Sequence, residues 1–588
     1  MFKLFKRMRG LELSMLLGMA VFIWSQVWLE LKLPDYMSTI TRLVQTPGSQ
    51  MSAIWKAGGM MLLCAFGSMA TAILTSYLGA RLAATFSHRL RHDVFHRVED
   101  FSLEEMGRFS TASLITRSTN DVRQMQMLLA MGAQMIMRCP VTVIIALTKI
   151  WGKAWQWTTA TAVGACIATG TLATLLFINT PKFRIIQTLT DNLNRVTREN
   201  LTGLRVVRAY NAVEYQEQKF EEANTKLTKT NLFTSRVMGI MQPIMSTMMS
   251  GLSLVIYWIG AGLINAAAAT DKIGLYSDMI VFSSYAMQLI MSFMSIGFIF
   301  MFLPRAIVSA RRINEVLDAK PSIRSGDKTV RSYVAPGTVE FRNVSFRYPG
   351  VDGTEPVLSN ISFVAESGKT TAIIGATGSG KSSLLNLIPR FYDATEGQVF
   401  FDGVDVKELN LKDLRNRIGY VSQKAQLFFG TVRSNITFGD NGKGEITPEQ
   451  VRSAIDIAQA SEFVDKLEGG LEGHISQNGS NVSGGQKQRL SIARAVARQP
   501  EVYLFDDSFS ALDYKTDRVL RTELKRKTAG VTSIIVAQRI GTIRDADQIL
   551  VIDEGKLVGK GTHDELMKTC EVYQEIALSQ LSREELGA

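Results

Sequence analysis

Cysteine is scarce in this chain: Cys64, Cys139, Cys166 and Cys570 are the four among 588 residues. Their spacing is neither paired nor ligand-like, which excludes a disulfide-stapled secreted domain and a zinc module. Three fall in apolar blocks, and all four read as free thiols in a reducing or lipid setting. Histidine is almost as rare, with five residues. His88, His92 and His96 recur every fourth residue on one helix face. No carboxylate pattern nearby completes a metal site, so they read as part of a solvated basic helix. No cleavable leader is expected either. Lys3, Lys6, Arg7 and Arg9 precede an apolar run longer than a signal segment, with no small-residue cleavage site after it. The net charge of +11 suits nucleic acid or a membrane surface. Here Lys and Arg flank long apolar runs, which favours membrane lipid and no nucleic acid.

Those runs fill the first half. Six are long enough to cross a bilayer, which takes about 20 residues. They are Leu13–Leu33, Ala57–Leu78, Cys139–Trp151 with the apolar run before it, Trp155–Ile178, Gly239–Ile264 and Ile280–Leu303. The basic N-terminus belongs in the cytoplasm, and six crossings return the chain there. The stretches Arg81–Leu128 and Lys182–Arg236 are long, charged and helical in pattern. Helices there must run well beyond the membrane, reversing near Phe109–Arg117 and near Leu201–Tyr210. Arg138 interrupts an apolar run and is read as lying where the third helix enters the membrane. Residues 318–335 hold Pro, Ser, Gly, Asp and Lys without periodicity, as a linker does. From Gly337 onward, strand and helix signals alternate. The expected organisation is an all-α membrane domain over 1–317, a linker over 318–335, and an α/β nucleotide-binding domain over 336–588.

Gly375, Ala376, Thr377, Gly378, Ser379, Gly380, Lys381, Ser382 and Ser383 fit the phosphate-cradling pattern G-x-x-x-x-G-K-[ST]. The β-branched run Thr370–Ile374 before it reads as a buried strand, and the run after it as a helix start. The glycines let backbone N–H groups close around phosphate oxygens, and the helix N-terminus adds partial positive charge. Lys381 would reach the β- and γ-phosphates of ATP, and the Ser382 hydroxyl would bind Mg²⁺. Val502–Asp507, V-Y-L-F-D-D, reads as a strand that places Asp506 beside this loop to hold Mg²⁺ through water.

Val482–Arg489, V-S-G-G-Q-K-Q-R, completes the set. With it the whole chain resembles the ATP-binding-cassette (ABC) transporters, specifically an exporter-type half-transporter with one membrane domain fused to one cassette. The resemblance implies the type IV exporter fold and cassettes that work in pairs. Ser483, Gly484, Gly485 and Gln486 match the signature that clamps ATP held by the opposite cassette. Tyr348 matches the aromatic that stacks on adenine. Gln423, in Y-V-S-Q, matches the glutamine that senses Mg²⁺ and nucleotide. Ser510, Ala511, Leu512 and Asp513 match the loop that crosses to the other cassette, the D-loop. The two expected reversals resemble the coupling helices that dock on cassettes.

Two positions depart from the family pattern. Where the family usually has a Glu as general base, this chain has Asp507. Its carboxylate stops roughly 1.3 Å short, and catalysis is sensitive to displacements of about that size. Where the family has its switch His, this chain has Gln538, which can hydrogen-bond but carries no positive charge. Both losses fall on the side that hydrolyses this chain's own ATP, while the signature is intact. The resemblance therefore implies a heterodimer: a second ABC half-transporter carries the catalytic Glu and switch His, and this chain's signature completes the partner's site.

Substrate is less legible. Met241, Met245, Met248, Met249, Met287, Met291, Phe293, Met294, Phe298 and Phe300 make the later spans soft and polarisable, which suits apolar ligands. Few charges lie in the spans, which disfavours ions and small anionic metabolites. The family resemblance points to export of amphipathic cations or dyes from a bacterial plasma membrane. Lipid or peptide export, or import through an exporter-like fold, are the alternatives.

Overall fold

The computed structural model describes residues 2–46, 48–151, 155–268, 271–330, 336–350 and 355–580, apart from the side chains of residues 2, 176, 184, 294 and 296–302. Part of the expected linker, residues 331–335, and the side chains of Met294, Phe298 and Phe300 therefore lie outside the described residues. Contacts divide the chain into two units: Met1–Glu99 with Thr111–Ala319, and Asp100–Ser110 with Lys320–Ala588.

Among the described residues the first unit is built on six long helices: Gly10–Gln45, Met51–Glu99, Thr111–Ile150, Trp155–Thr202, Val213–Ala266 and Lys272–Asp318. The first five are long and apolar enough to cross a membrane. The sixth apolar run of the sequence falls on Lys272–Asp318. Outward side chains such as Leu62, Phe66, Phe177 and Trp258 are exposed, the inverse of a water-facing helix. Inward, Trp157 and Tyr285 are fully buried. The Trp157 indole donates to the Ile256 carbonyl at 3.1 Å, and the Tyr285 hydroxyl lies 3.0 Å from the Leu31 carbonyl. In the third helix the hydrogen bonding widens into π turns at Arg117–Asp121 and Leu128–Gly132. At the first of these, Ser118 and Thr119 donate their hydroxyls to the carbonyls of Leu114 and Ile115, competing with the backbone ladder.

Arg138 lies within the third helix, 2.7 Å from the Glu30 carboxylate on the first. The opposite charge on a neighbouring helix offsets the cost of a guanidinium among apolar helices. The first reversal falls at Asp100–Ser110, earlier than Phe109–Arg117, in the short helix Leu103–Phe109. Arg117 belongs to the third long helix instead. The second reversal is the helix Leu204–Ala209, inside the expected stretch. His88, His92 and His96 are exposed, and among the described residues no group of three His, Cys, Asp or Glu is placed to hold a metal ion.

The second unit is α/β. Strands β3 (Thr370–Ile374), β6 (Ile418–Val421), β9 (Val502–Asp506), β10 (Thr532–Val536), β11 (Gln548–Asp553) and β12 (Lys556–Gly561) form one sheet in the order β12-β11-β3-β10-β9-β6. All its pairings are parallel except β11 with β12. Every residue of β9 is buried, as a parallel sheet covered on both faces requires. The pleat splits the core: Ala372 and Ile374 of β3 face one cluster and Ile373 the other. A second sheet is antiparallel, in the order β2-β1-β4-β5, with β1 at Val339–Phe346, β2 at Leu358–Ala365, β4 at Glu396–Phe401 and β5 at Val404–Asp405. The remaining strands, β7 (Gly430–Thr431) and β8 (His474–Ile475), make a two-residue ribbon.

Candidate functional site

The parallel register brings four strand ends to one edge. Val536 pairs with both Ile373 and Asp506, and Val421 pairs with Phe505. The segments that leave β3, β6, β9 and β10 therefore emerge side by side at the carboxyl ends of the strands, where open α/β sheets bind ligands. They carry Gly375–Ser383, Gln423, Asp507 and Gln538 respectively, with Asp506 at the tip of β9.

After β3 the chain must turn under steric constraint. A Cβ on Gly375 would collide with the Ile552 carbonyl, and one on Gly380 would come within 2.8 Å of Leu358 and the Val357 carbonyl. Gly380 has φ +100°, which only glycine takes without cost. The helix Lys381–Leu387 starts directly after it. The Lys381 ammonium folds back over the loop, 2.9 Å from the Gly375 carbonyl and 2.6 Å from that of Ala376. Burial lowers its pKa, against the opposing charges of Asp507 and Asp506. The Ser382 hydroxyl donates to Asp506 at 2.7 Å. A hydroxyl and a carboxylate oxygen converging beside a phosphate loop are the hard donors Mg²⁺ takes, so these residues fit the ion. Tyr348, just past β1, meets the Ser383 hydroxyl at 2.8 Å, and its ring packs edge-on against Tyr392.

Asp507 is where the geometry is most specific. It is buried, with φ +45°, and its N–H donates to the Val536 carbonyl at 2.9 Å. Its Oδ2 accepts from the Gln538 amide at 2.9 Å and from the Gln423 amide at 3.3 Å. The two departures from the family pattern are thus hydrogen-bonded to each other, and Gln423 joins them on the same oxygen. Burial raises the pKa of Asp507 and of Asp506, against hydrogen bonds from Gln423 and Ser382 respectively.

Ser483 stands apart from that cluster. It caps the helix Gly484–Ala497: its hydroxyl accepts from the Gln486 N–H at 3.3 Å, and its own N–H donates to the Gln486 side chain at 2.8 Å. Ser483 and Gly484 are exposed, leaving this N-terminus open. A Cβ on Gly485 would press to 3.3 Å from the Ala511 carbonyl, so the signature and the D-loop touch. Asp513 caps the helix Tyr514–Lys527 by accepting from Thr516 N–H at 2.9 Å.

Sequence reasoning missed Gln580. Its amide donates to the Gln538 carbonyl at 2.7 Å and its oxygen accepts from the Ile540 N–H at 2.9 Å, pinning the loop that holds Gln538. A glutamine on a terminal helix carries no sequence signal for this. Ser508 was missed too: it is wholly buried and donates to the Val421 carbonyl at 3.0 Å, tying β6 to the turn after β9.

Comparison with known proteins agrees with this architecture. Residues 13–293 match the family described as ABC transporter transmembrane region, and residues 358–510 match ABC transporter. An uncharacterized ABC transporter ATP-binding protein of Mycobacterium tuberculosis is 38% identical over 527 residues, 89% of this chain and 87% of that one. An ATP-dependent lipid A-core flippase of Pseudomonas putida is 32% identical, over 84% of this chain and 80% of that one. The solved structure of a bacterial Atm1-family ABC exporter with ATP bound superposes with TM-score 0.79 at 22% identity, covering 96% of this chain and 98% of that one. With a helical membrane region followed by an α/β cassette whose strand ends carry the phosphate loop, the chain belongs to the ABC transporter family.

Proposed function

We propose that this chain is one half of a heterodimeric exporter that uses ATP to move amphipathic compounds out across a bacterial plasma membrane. Its N-terminus and cassette face the cytoplasm. Gly375–Ser383 hold the phosphates, Tyr348 stacks on adenine, and Ser382, Gln423 and Asp506 surround Mg²⁺. Bound Mg²⁺ neutralises phosphate charge, and the loop amides and Lys381 orient the phosphates around it. At this chain's own site hydrolysis is slow. One observation supports that most directly: Asp507 Oδ2 is occupied by Gln538 and Gln423. Two amide donors on that one oxygen lower its basicity toward the water it would activate. Ser483–Gln486, with Asp513, complete the site where the partner subunit turns over ATP.

A second reading, movement of lipids, is favoured by the lipid A-core flippase among the relatives. Lipid translocation needs the same cycle, and only the cargo differs.

ATPase activity of the chain alone, and together with a second half-transporter, tests the asymmetry. The expected result is an inactive single chain and an active pair that Ser483→Ala abolishes. An active dimer of this chain alone overturns the heterodimer and makes Asp507 and Gln538 working substitutes.

A further inference from the structure

A cavity of about 960 Å³ opens among the first, second, third and sixth long helices. One part of its wall is methionine: Met37, Met61, Met131, Met135 and Met291. Such a surface adapts to apolar bodies of varied shape. Beside Leu33, Pro34 and Cys139, the rest is polar and partly ordered in stripes. Gln134, Arg138 and Thr142 repeat every fourth residue on the third helix, and Ser284, Gln288 and Ser292 do so on the sixth.

The ion pair in that wall is lopsided. Glu30 is three-quarters covered, its side chain 25% exposed. One of its oxygens accepts from Gln26 at 2.9 Å and Ser68 at 3.3 Å, and the other from Arg138 at 2.7 Å. Both carboxylate oxygens are therefore in use. Arg138 is 49% exposed and lines the cavity, and among the described residues its side chain pairs with Glu30 alone. A guanidinium has five N–H donors in a planar fork. Donors left over at the wall are available to an acceptor that enters the cavity. Glu30 also lines the cavity, but both its oxygens are already taken by donors, so what the pair has left to offer a ligand is the remaining Arg138 N–H groups.

We propose that this cavity binds amphipathic molecules with an apolar body and an anionic head, the head seated on the free edge of Arg138 and the body on the methionines. A carboxylate, phosphate or sulfonate matches the fork in a bidentate way. This reverses the cationic cargo that the resemblance suggests, and it rests on reading the membrane region as the transport path. Glu30 is the positioning residue: it holds Arg138 at the wall and tempers its charge.

The test is direct binding to the full chain in zwitterionic phosphatidylcholine nanodiscs without ATP, using pyrenebutyrate, its primary amide and the matching amine. Fluorescence anisotropy reads all three on one apolar body. The expected order is carboxylate tightest and amine weakest. Arg138→Gln should weaken the carboxylate about tenfold or more and leave the amide little changed. Glu30→Gln keeps the shape, frees Arg138 and should tighten the carboxylate. Retained binding of an ATP analogue reports folding of each variant. Should Arg138→Gln fail to fold, Glu30→Gln decides, and carboxylate binding unchanged or weaker there overturns the proposal. Absent carboxylate binding, or an amine that binds as tightly, overturns it as well. Binding is read without turnover, so carboxylate binding with no ATP-driven transport rejects the export reading alone.

Discussion

Asp507 and Gln538 lie 31 residues apart and meet because β9 and β10 are neighbours whose ends, Asp506 and Val536, are in register. Sequence reading finds each as a departure from pattern, since the phosphate loop and the β9 carboxylates sit at recognisable spacing. It does not find their hydrogen bond, which strand order creates, nor Gln580, which a terminal helix supplies. The contact has a consequence for repair. Asp507→Glu with Gln538→His lengthens the acid and removes the amide from it. In a pair whose partner site is silenced, the double variant should raise single-turnover hydrolysis at this site about tenfold or more over wild type. No gain would show that the obstacle lies outside these two side chains. Asp506 bears a separate, pH-dependent expectation. Burial raises its pKa above 3.8, partly offset by Ser382. A raised carboxylate pKa means that folding favours the proton: any stability from the neutral form is complete below 3.8 and is lost as pH rises through the folded value. Mg²⁺ needs the charged form. Mg²⁺-dependent ATP binding should therefore weaken on acidification sooner than an ordinary Asp would make it. Titrating the Mg²⁺ requirement between neutral pH and about pH 5 checks this. A flat requirement would place the ion elsewhere.

The short helix Leu103–Phe109 shows why one element was misplaced by sequence and how it is held. Its charged, helix-forming sequence resembles that of the long helices on either side, so periodicity gives no break. The local signal was present in S-L-E-E: Ser102 and Glu105 form a capping box, the mark of a helix start. Glu105 does more than cap. Its carboxylate accepts from the Ser102 N–H at 2.9 Å, the Ser102 hydroxyl at 2.6 Å and the Ser322 N–H at 3.0 Å. Burial raises its pKa, but hydrogen bonds from Ser102 and Ser322 outweigh that, and the net shift is downward from 4.5. A depressed carboxylate stabilises the segment above its unfolded value, and that support is lost as pH falls below about 4.5 through the folded value. Glu105→Ala removes all three bonds and should cost roughly 2 kcal/mol of local stability. Hydrogen exchange over residues 100–110 and at Ser322 reads the effect. Faster exchange in both stretches is expected, and unchanged exchange would mean that the aromatic stack of Phe101 on Phe109 holds the segment unaided.

The order of a membrane region and then a cassette is legible from composition alone, because lipid and water demand opposite surfaces. What composition hides is pairing between helices. Glu30 and Arg138 are 108 residues apart, and only the packing of the first helix on the third makes Arg138 a wall of a cavity. The same packing builds a polar seam at one end of the bundle. Asp35 of the first helix accepts from Lys149 of the third at 2.6 Å and from the Tyr285 hydroxyl of the sixth at 2.6 Å. Ser38 meets Ser277 at 2.5 Å, and Arg42 pairs with Asp278 at 3.2 Å. By the proposed topology this end faces away from the cytoplasm. Release of cargo to that side requires these helices to part, and polar contacts that re-form easily suit a seam that opens every cycle. Ser38→Cys with Ser277→Cys, in a background with exposed Cys166 replaced by Ser, puts two thiols where the hydroxyls touch. Oxidation should stop transport by the assembled pair while ATP binding persists, and reduction should restore it. Full transport with the disulfide intact would mean that the seam stays shut and cargo leaves by another path between the helices.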